Sequence, residues 1–197
     1  MLPVPQRLIV GITGASGVLY GVRLLQALRG GHTQQPVETH LILSEAARMT
    51  LALETDLRVS EVEALADVVH APRNLAAVVA SGSFAALGMV VVPCSIKTLS
   101  AIAHSYADNL IARAADVQLK EGRPLVLVVR ETPLHLGHLR LMTQAAECGA
   151  VIFPPVPALY TRPQSLDDVI MATVGRILAR VGLANDLYEP WGGASSR

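Results

Sequence analysis

The run RLIVGITGASGVLYGVRLLQAL, residues 7–28, decides the fold. Residues 8–12 are apolar without alternation, so 7–13 read as a strand buried on both faces. Residues 17–28 carry apolar side chains at helical spacing and read as a helix. Between them stands Gly14-Ala15-Ser16-Gly17, a turn short enough to need glycine. A buried strand, a glycine turn and a helix open a parallel, helix-covered sheet.

The same alternation continues outward from this run. GMVVVP, residues 88–93, is the clearest further strand, and 39–43, 125–129 and 151–153 read alike. Helices are expected over 45–54, 59–68, 97–104, 108–119 and 165–181. Pro133 suits the first turn of another helix ending near Cys148. Ser165 is the expected cap of the last helix, Asp167 and Asp168 complement its dipole, and Gly182 ends it. The Pro-rich segment 154–163 is a loop. The reading is a Rossmann-like, three-layer α/β/α fold with a parallel sheet. One domain covers 1–197, with an irregular tail over 185–197.

Composition narrows the function classes. Of 197 residues, 51% are apolar and 16% charged, which excludes a mainly disordered chain. No apolar run reaches the roughly 18 residues of a spanning helix, so no membrane role is expected. The net charge of zero gives no field for nucleic acid. The start of the chain lacks the pattern of a signal peptide. Two cysteines, Cys94 and Cys148, make no disulfide framework, so a cytoplasmic location is expected. The aliphatic excess points to surface buried between copies of the chain.

In a parallel sheet, ligands gather beyond the strand C-termini, and those loops are rich in polar residues here. Glycines and a helix start after the first strand suit an anion, while Ser16 serves equally as a simple cap. The loop resembles that of short-chain dehydrogenases, but no Tyr-x-x-x-Lys pair exists, and Ser44 stands where a dinucleotide fold favours an acid. A mononucleotide fits better. After residues 88–93 come Cys94, Ser95, Ile96, Lys97 and Thr98, a second polar rim. Cys94 reads as a packed strand-end residue. After residues 125–129 come Arg130 and Glu131, able respectively to grip a phosphate and to move a proton. His135 and His138 read as cap or helix-face residues, without a third metal ligand. Lys120 and Arg123 flank a turn and read as a solvated face.

Taken together, Gly14-Ala15-Ser16-Gly17, Ser81-Gly82-Ser83, Pro93-Cys94-Ser95 with Lys97-Thr98-Leu99, Asn109-Leu110, Arg113-Ala114-Ala115-Asp116, Leu119-Lys120-Glu121, Arg130-Glu131 and Tyr160 stand in a recognisable order. The chain resembles the UbiX-type flavin prenyltransferases, within a wider flavoprotein family that includes cysteine decarboxylases, from about Leu8 to Trp191. The resemblance implies transfer of a dimethylallyl group from dimethylallyl phosphate to N5 and C6 of reduced FMN. The product, prenylated FMN, serves a UbiD-type decarboxylase. No metal is implied, and a homo-oligomer, a dodecamer by resemblance, is.

The resemblance also implies residue roles. Gly14, Ala15, Ser16, Ser44, Ser95, Ile96, Lys97, Thr98 and Arg130 match FMN contacts. Lys120, Arg130, Tyr160 and Arg176 match the allyl phosphate site, which neighbouring subunits assemble. Glu131 matches the acid/base candidate; Glu54 and Ser16 match further catalytic positions. Arg113 matches a structural or interface arginine. Departures occur at Leu75, Val129, Leu159 and Pro190, around the expected prenyl pocket. Two alternatives remain beside this one. A cysteine decarboxylase-like enzyme would carry a Pro-x-Met-Asn-type motif, which is absent. A non-catalytic FMN carrier would not need Lys120, Glu131, Tyr160 and Arg176, all of which are present.

Overall fold

Strand side chains alternate between two separate cores, and this builds the layers. In β1 (Gln6–Ile12), Leu8, Val10 and Ile12 enter one core while Ile9 enters the other. In β4 (Gly88–Cys94), Val90 and Val92 face the first core, Met89 and Val91 the second. In β5 (Leu125–Val129), Val126 and Val128 oppose Leu125, Leu127 and Val129 in the same way. Every residue of β4 and β5 is buried, as a sheet covered on both faces requires. Each such Leu, Ile or Val contributes about 1.5–3 kcal/mol through burial.

The computed structural model describes residues 6–192. The remaining strands are β2 (Val37–Leu43), β3 (Val68–His70) and β6 (Val151–Ile152). All pair in parallel, in the order β3-β2-β1-β4-β5-β6. The helices are α1 (Val18–Arg29), α2 (Glu45–Glu54), α3 (Val59–Glu63), α4 (Ile96–Ala103), α5 (Leu110–Lys120), α6 (Leu136–Glu147) and α7 (Leu166–Arg180). Helices α1 and α7 pack on the first core, and α4 and α5 on the second. The strand order reverses between β1 and β4, which places a crevice beyond their C-termini. Thr13 joins the two sides there: its hydroxyl donates to the Pro93 carbonyl at 2.7 Å and accepts from the Ser95 amide at 2.8 Å.

The expected helix over 59–68 ends at Glu63, and Val68 begins β3 instead. The cause is a tertiary contact. Asp67 accepts from both the amide and the hydroxyl of Thr39, and its own amide donates back to that hydroxyl. This pins the segment beside β2. The helix expected to include Pro133 starts only at Leu136, because the His135 ring caps it by accepting from the Gly137 amide at 2.9 Å. Ser165 caps α7 through the Asp168 amide, and Asp168 returns the bond to the Ser165 amide. Of the tail, 185–192 is irregular apart from a bridge between Asn185 and Thr33. Residues 193–197 of the expected tail lie outside the described residues.

On the second-core face a polar chain crosses three strands. Arg7 pairs with Glu38, Glu38 meets His40 Nε2 at 2.8 Å, and His40 Nδ1 meets His70 Nε2 at 2.9 Å. A carboxylate only accepts, so with one ring proton His40 donates to Glu38 and accepts from His70. Phe84 closes the group, edge-on to His40 and beneath the Arg7 guanidinium. No described helix is long and apolar enough to cross a membrane.

Candidate active site

Loops after four strands and the start of α5 surround a cleft of about 460 Å³ at the crevice. Ser44 follows β2 and caps α2, accepting from the Ala47 amide at 3.1 Å. Ser95 follows β4 and caps α4 through the Thr98 amide. Asn109 caps α5 through the Ala112 amide. Three helix N-termini therefore border one cavity, and each favours negative charge. Gly14 lines it at a point where a Cβ would run into Ala46, so only glycine lets the first loop meet α2. Lys97 and Arg73 bring positive charge to the lining, and Glu45 and Asp108 bring negative charge.

Of the residues expected to touch FMN, Gly14, Ser44, Ser95, Lys97 and Thr98 line this cleft. Ala15, Ser16, Ile96 and Arg130 do not. The expected Ser16 cap of α1 is corrected. Gly17 occupies the cap position in a left-handed conformation (φ 93°) without a side-chain cap. Glu54, from the end of α2, takes that role: its Oε2 accepts from the Gly17 and Val18 amides at 2.8 and 3.0 Å. The chain's own carboxylate thus fills the helix start that sequence alone offers to a phosphate. Ser16 and Glu54, both expected to be catalytic, are brought close together.

A second, smaller pocket lies behind β6 and α7. It collects Tyr160 and Arg176 with Phe153 and Tyr188. The Arg176 guanidinium sits 5.9 Å from the centre of the Phe153 ring. Tyr160 donates to the Glu189 carbonyl at 3.2 Å and meets the Trp191 ring edge-on. The two cavities share no lining residue. Arg130 and Glu131 follow β5 on the exposed surface and line neither; Glu131 accepts from the Thr132 amide. Lys120 lies at the far end of α5, paired with Glu121 beside Gly82, and this pairing holds the Glu121 carboxyl below the usual range. Arg113 pairs with Asp116 one helical turn on, at 2.8 Å.

Arg123 is not the solvated side chain its position by a turn suggests. Half-buried, it donates to the carbonyls of Gly82 and Phe84 at 2.7 and 2.6 Å, holding the Ser81–Ser83 loop in place. Cys94 is fully buried, and burial pushes its thiol far up, so it supplies no thiolate nucleophile. No group of three or more metal-ligating side chains exists among the described residues. Sequence reasoning gave no site role to Arg73 or to Asp108 and Asn109 at the start of α5. The signal was available: Arg73 stands just beyond β3, where the rule of looking past strand ends leads once β3 is recognised as a strand.

A parallel doubly wound sheet with a cleft of helix starts, hydroxyls and cations at its switch point defines the class, an α/β protein that takes its ligand beyond the strand C-termini. The Flavoprotein family matches residues 3–178. The chain is 66% identical over 191 residues, 96% of its length and all of the relative's, to the flavin prenyltransferase UbiX of Escherichia coli K12. The crystal structure of AnUbiX (PadA1) in complex with FMN and dimethylallyl pyrophosphate is similar at a TM-score of 0.93. That structure is 50% identical, covering 98% of this chain and 100% of its own. A dodecameric FMN-dependent UbiX-like decarboxylase from Escherichia coli O157:H7 matches at a TM-score of 0.91 and 48% identity, over 95% of this chain and 100% of its own. The chain belongs to the Flavoprotein family and, within it, to the UbiX flavin prenyltransferases.

Proposed function

We propose that this protein transfers the dimethylallyl group of dimethylallyl phosphate to N5 and C6 of reduced FMN, releasing phosphate. The observation that carries the reading is the pair of separate cavities. One is polar, with hydroxyls, helix starts and two cations; the other is aromatic, with Tyr160 and Arg176. The first suits a flavin mononucleotide, since Gly14 leaves a cradle that a side chain would fill and the donors suit a phosphate. Gly14, Ser44, Ser95 and Thr98 hold the ribityl-phosphate end. Bound reduced FMN supplies the nucleophilic ring atoms.

This chain's residues then act on charge and protons. Tyr160, Arg176 and, from a neighbouring subunit, Lys120 bind the allyl phosphate and stabilise the charge that grows on it as the C–O bond breaks. Arg130 lies between flavin and phosphate. Glu131 accepts the proton lost from C6 as the new ring closes. Glu54 and Ser16 support the site from the start of α1. Lys120, at the opposite end of α5 from the cleft, reaches such a site across an interface between copies, which supports an oligomeric assembly, and the dodecamer of the similar UbiX-like decarboxylase is its proposed form. The chain acts as one domain, in the cytoplasm, and its product serves a UbiD-type decarboxylase.

Anaerobic incubation of the purified protein with reduced FMN and dimethylallyl phosphate, followed by mass spectrometry of the flavin, tests the reading. A flavin heavier by one isoprenyl unit is expected. Bound but unmodified FMN, with the diphosphate donor also inactive, would move the assignment to a decarboxylase-like enzyme or a carrier.

A further inference from the structure

Arg73 is the one cleft residue whose charge comes from the connection between β3 and β4. Its guanidinium makes no ion pair or hydrogen bond to any described side chain or carbonyl, so its donors are unspent. The backbone beneath it is fixed. The Pro72 carbonyl accepts from the Leu110 amide at 2.8 Å, tying the turn to the start of α5. The Asn74 amide bonds the Ala71 carbonyl at 3.0 Å, and the Ala76 amide bonds the Asn74 side chain at 3.1 Å. A cation on a rigid turn is held at the cavity without a protein anion to satisfy it.

We infer that Arg73 is a specificity-determining residue that grips the phosphate of the flavin and selects the mononucleotide over the unphosphorylated flavin. The inference rests on the reading of this cleft as the FMN site. A guanidinium fork matches two phosphate oxygens at once, which the point charge of Lys97 does not. The remaining lining brings the hydroxyls of Thr13, Ser44, Ser95 and Thr98 and three helix starts to one place and includes no aromatic side chain for an isoalloxazine ring to stack on. The phosphate end therefore belongs here, where Arg73 shares the lining with Ser44 and Ser95. Neither Glu45 nor Asp108 neutralises it by direct pairing.

Equilibrium binding of FMN and of riboflavin, followed by flavin fluorescence, tests this in the wild-type protein, Arg73→Ala and Arg73→Lys. Losing one charge-assisted contact corresponds to about a 10- to 100-fold loss. Arg73→Ala is expected to lose that factor for FMN while its riboflavin affinity stays unchanged, and Arg73→Lys to recover part of it. The gap between wild type and Arg73→Ala should also shrink as salt rises. Equal losses for both flavins, or no loss for FMN, would overturn the inference. Wild-type protein that binds neither flavin would overturn the reading of the cleft, and the inference with it.

Discussion

The Glu54 carboxylate takes the cap amide and the first amide of α1 on one oxygen, with its Oε2 at 2.8 Å from the Gly17 nitrogen and 3.0 Å from that of Val18. A helix start is the strongest anion site a backbone offers, and this chain closes one of its own with a side chain from α2. The contact joins the end of one helix to the beginning of another. Replacing Glu54 therefore separates two effects. Glu54→Ala removes both hydrogen bonds and should cost about 1 kcal/mol. In melting experiments that is a fall of about 2–4 °C for a chain of this size. Glu54→Gln keeps an oxygen acceptor, so it should melt near the wild type while transferring the prenyl group more slowly. Equal activity of Glu54→Gln and wild type would confine Glu54 to capping.

Gly14 meets Ala46 so closely that no Cβ fits. Gly14→Ala must push the first loop away from α2, at a cost of about 1–3 kcal/mol. The displaced loop carries one wall of the cleft, so flavin retention on purification is expected to drop with stability. Full flavin occupancy in a normally folded Gly14→Ala protein would show that the wall tolerates the shift.

Glu131 is exposed, and among described residues its only hydrogen bond is to the Thr132 amide, so the side chain is free to serve as a base. Glu131→Gln should leave FMN bound and slow ring closure, visible in single-turnover absorbance changes. An unchanged rate would remove Glu131 from the proton transfer.

Arg176 belongs to the aromatic pocket and not to the flavin cleft. Arg176→Ala should weaken allyl phosphate binding by about 10-fold or more with little effect on FMN. Parallel losses of both ligands would indicate that its stacking on Phe153 is structural.

The chain from Arg7 to His70 makes stability depend on pH. Burial lowers the His70 pKa, and the adjacent His40 lowers it further. The unfolded chain therefore binds a proton before the folded one does, and stability present above the ordinary histidine range is lost as pH falls through it. The His40 hydrogen bond, with Arg7 behind it, holds the Glu38 carboxyl below its usual range. Its contribution survives to lower pH and disappears only as Glu38 protonates. Melting temperature should decline between about pH 8 and about pH 5.5, and His70→Gln should decline less steeply. Identical slopes would exclude His70 as the group responsible.

How far the sequence carried depends on where each signal resides. Residues 88–93 and 125–129 announce buried strands because no polar side chain interrupts them, and both are fully buried. Ser165 announces the start of α7 because a cap is a local bond between residues three apart, and the caps at Ser44 and Ser95 have the same spacing. The strand Val68–His70 stays hidden, since it is three residues long, partly exposed, and held by Thr39 from another element. Arg73 goes unnoticed as a consequence. The Arg123 clamp is invisible for the same reason, because its partner carbonyls lie 39 and 41 residues away. Residue types at the site were legible through family resemblance. Their division between two cavities is a property of the folded chain.

The sheet ends on one side in three residues and on the other in two. Such stubs offer almost no ladder of unpaired amides and carbonyls for another chain to extend. Growth by strand addition, the route to fibres, is closed at both margins. Self-association is left to the side-chain faces, where Met49 and Leu53 on α2 and Leu136 and Leu139 on α6 stand exposed. Any assembly of copies is thereby left to helix faces and denied to shared sheets, a consequence of nothing more than the brevity of two strands.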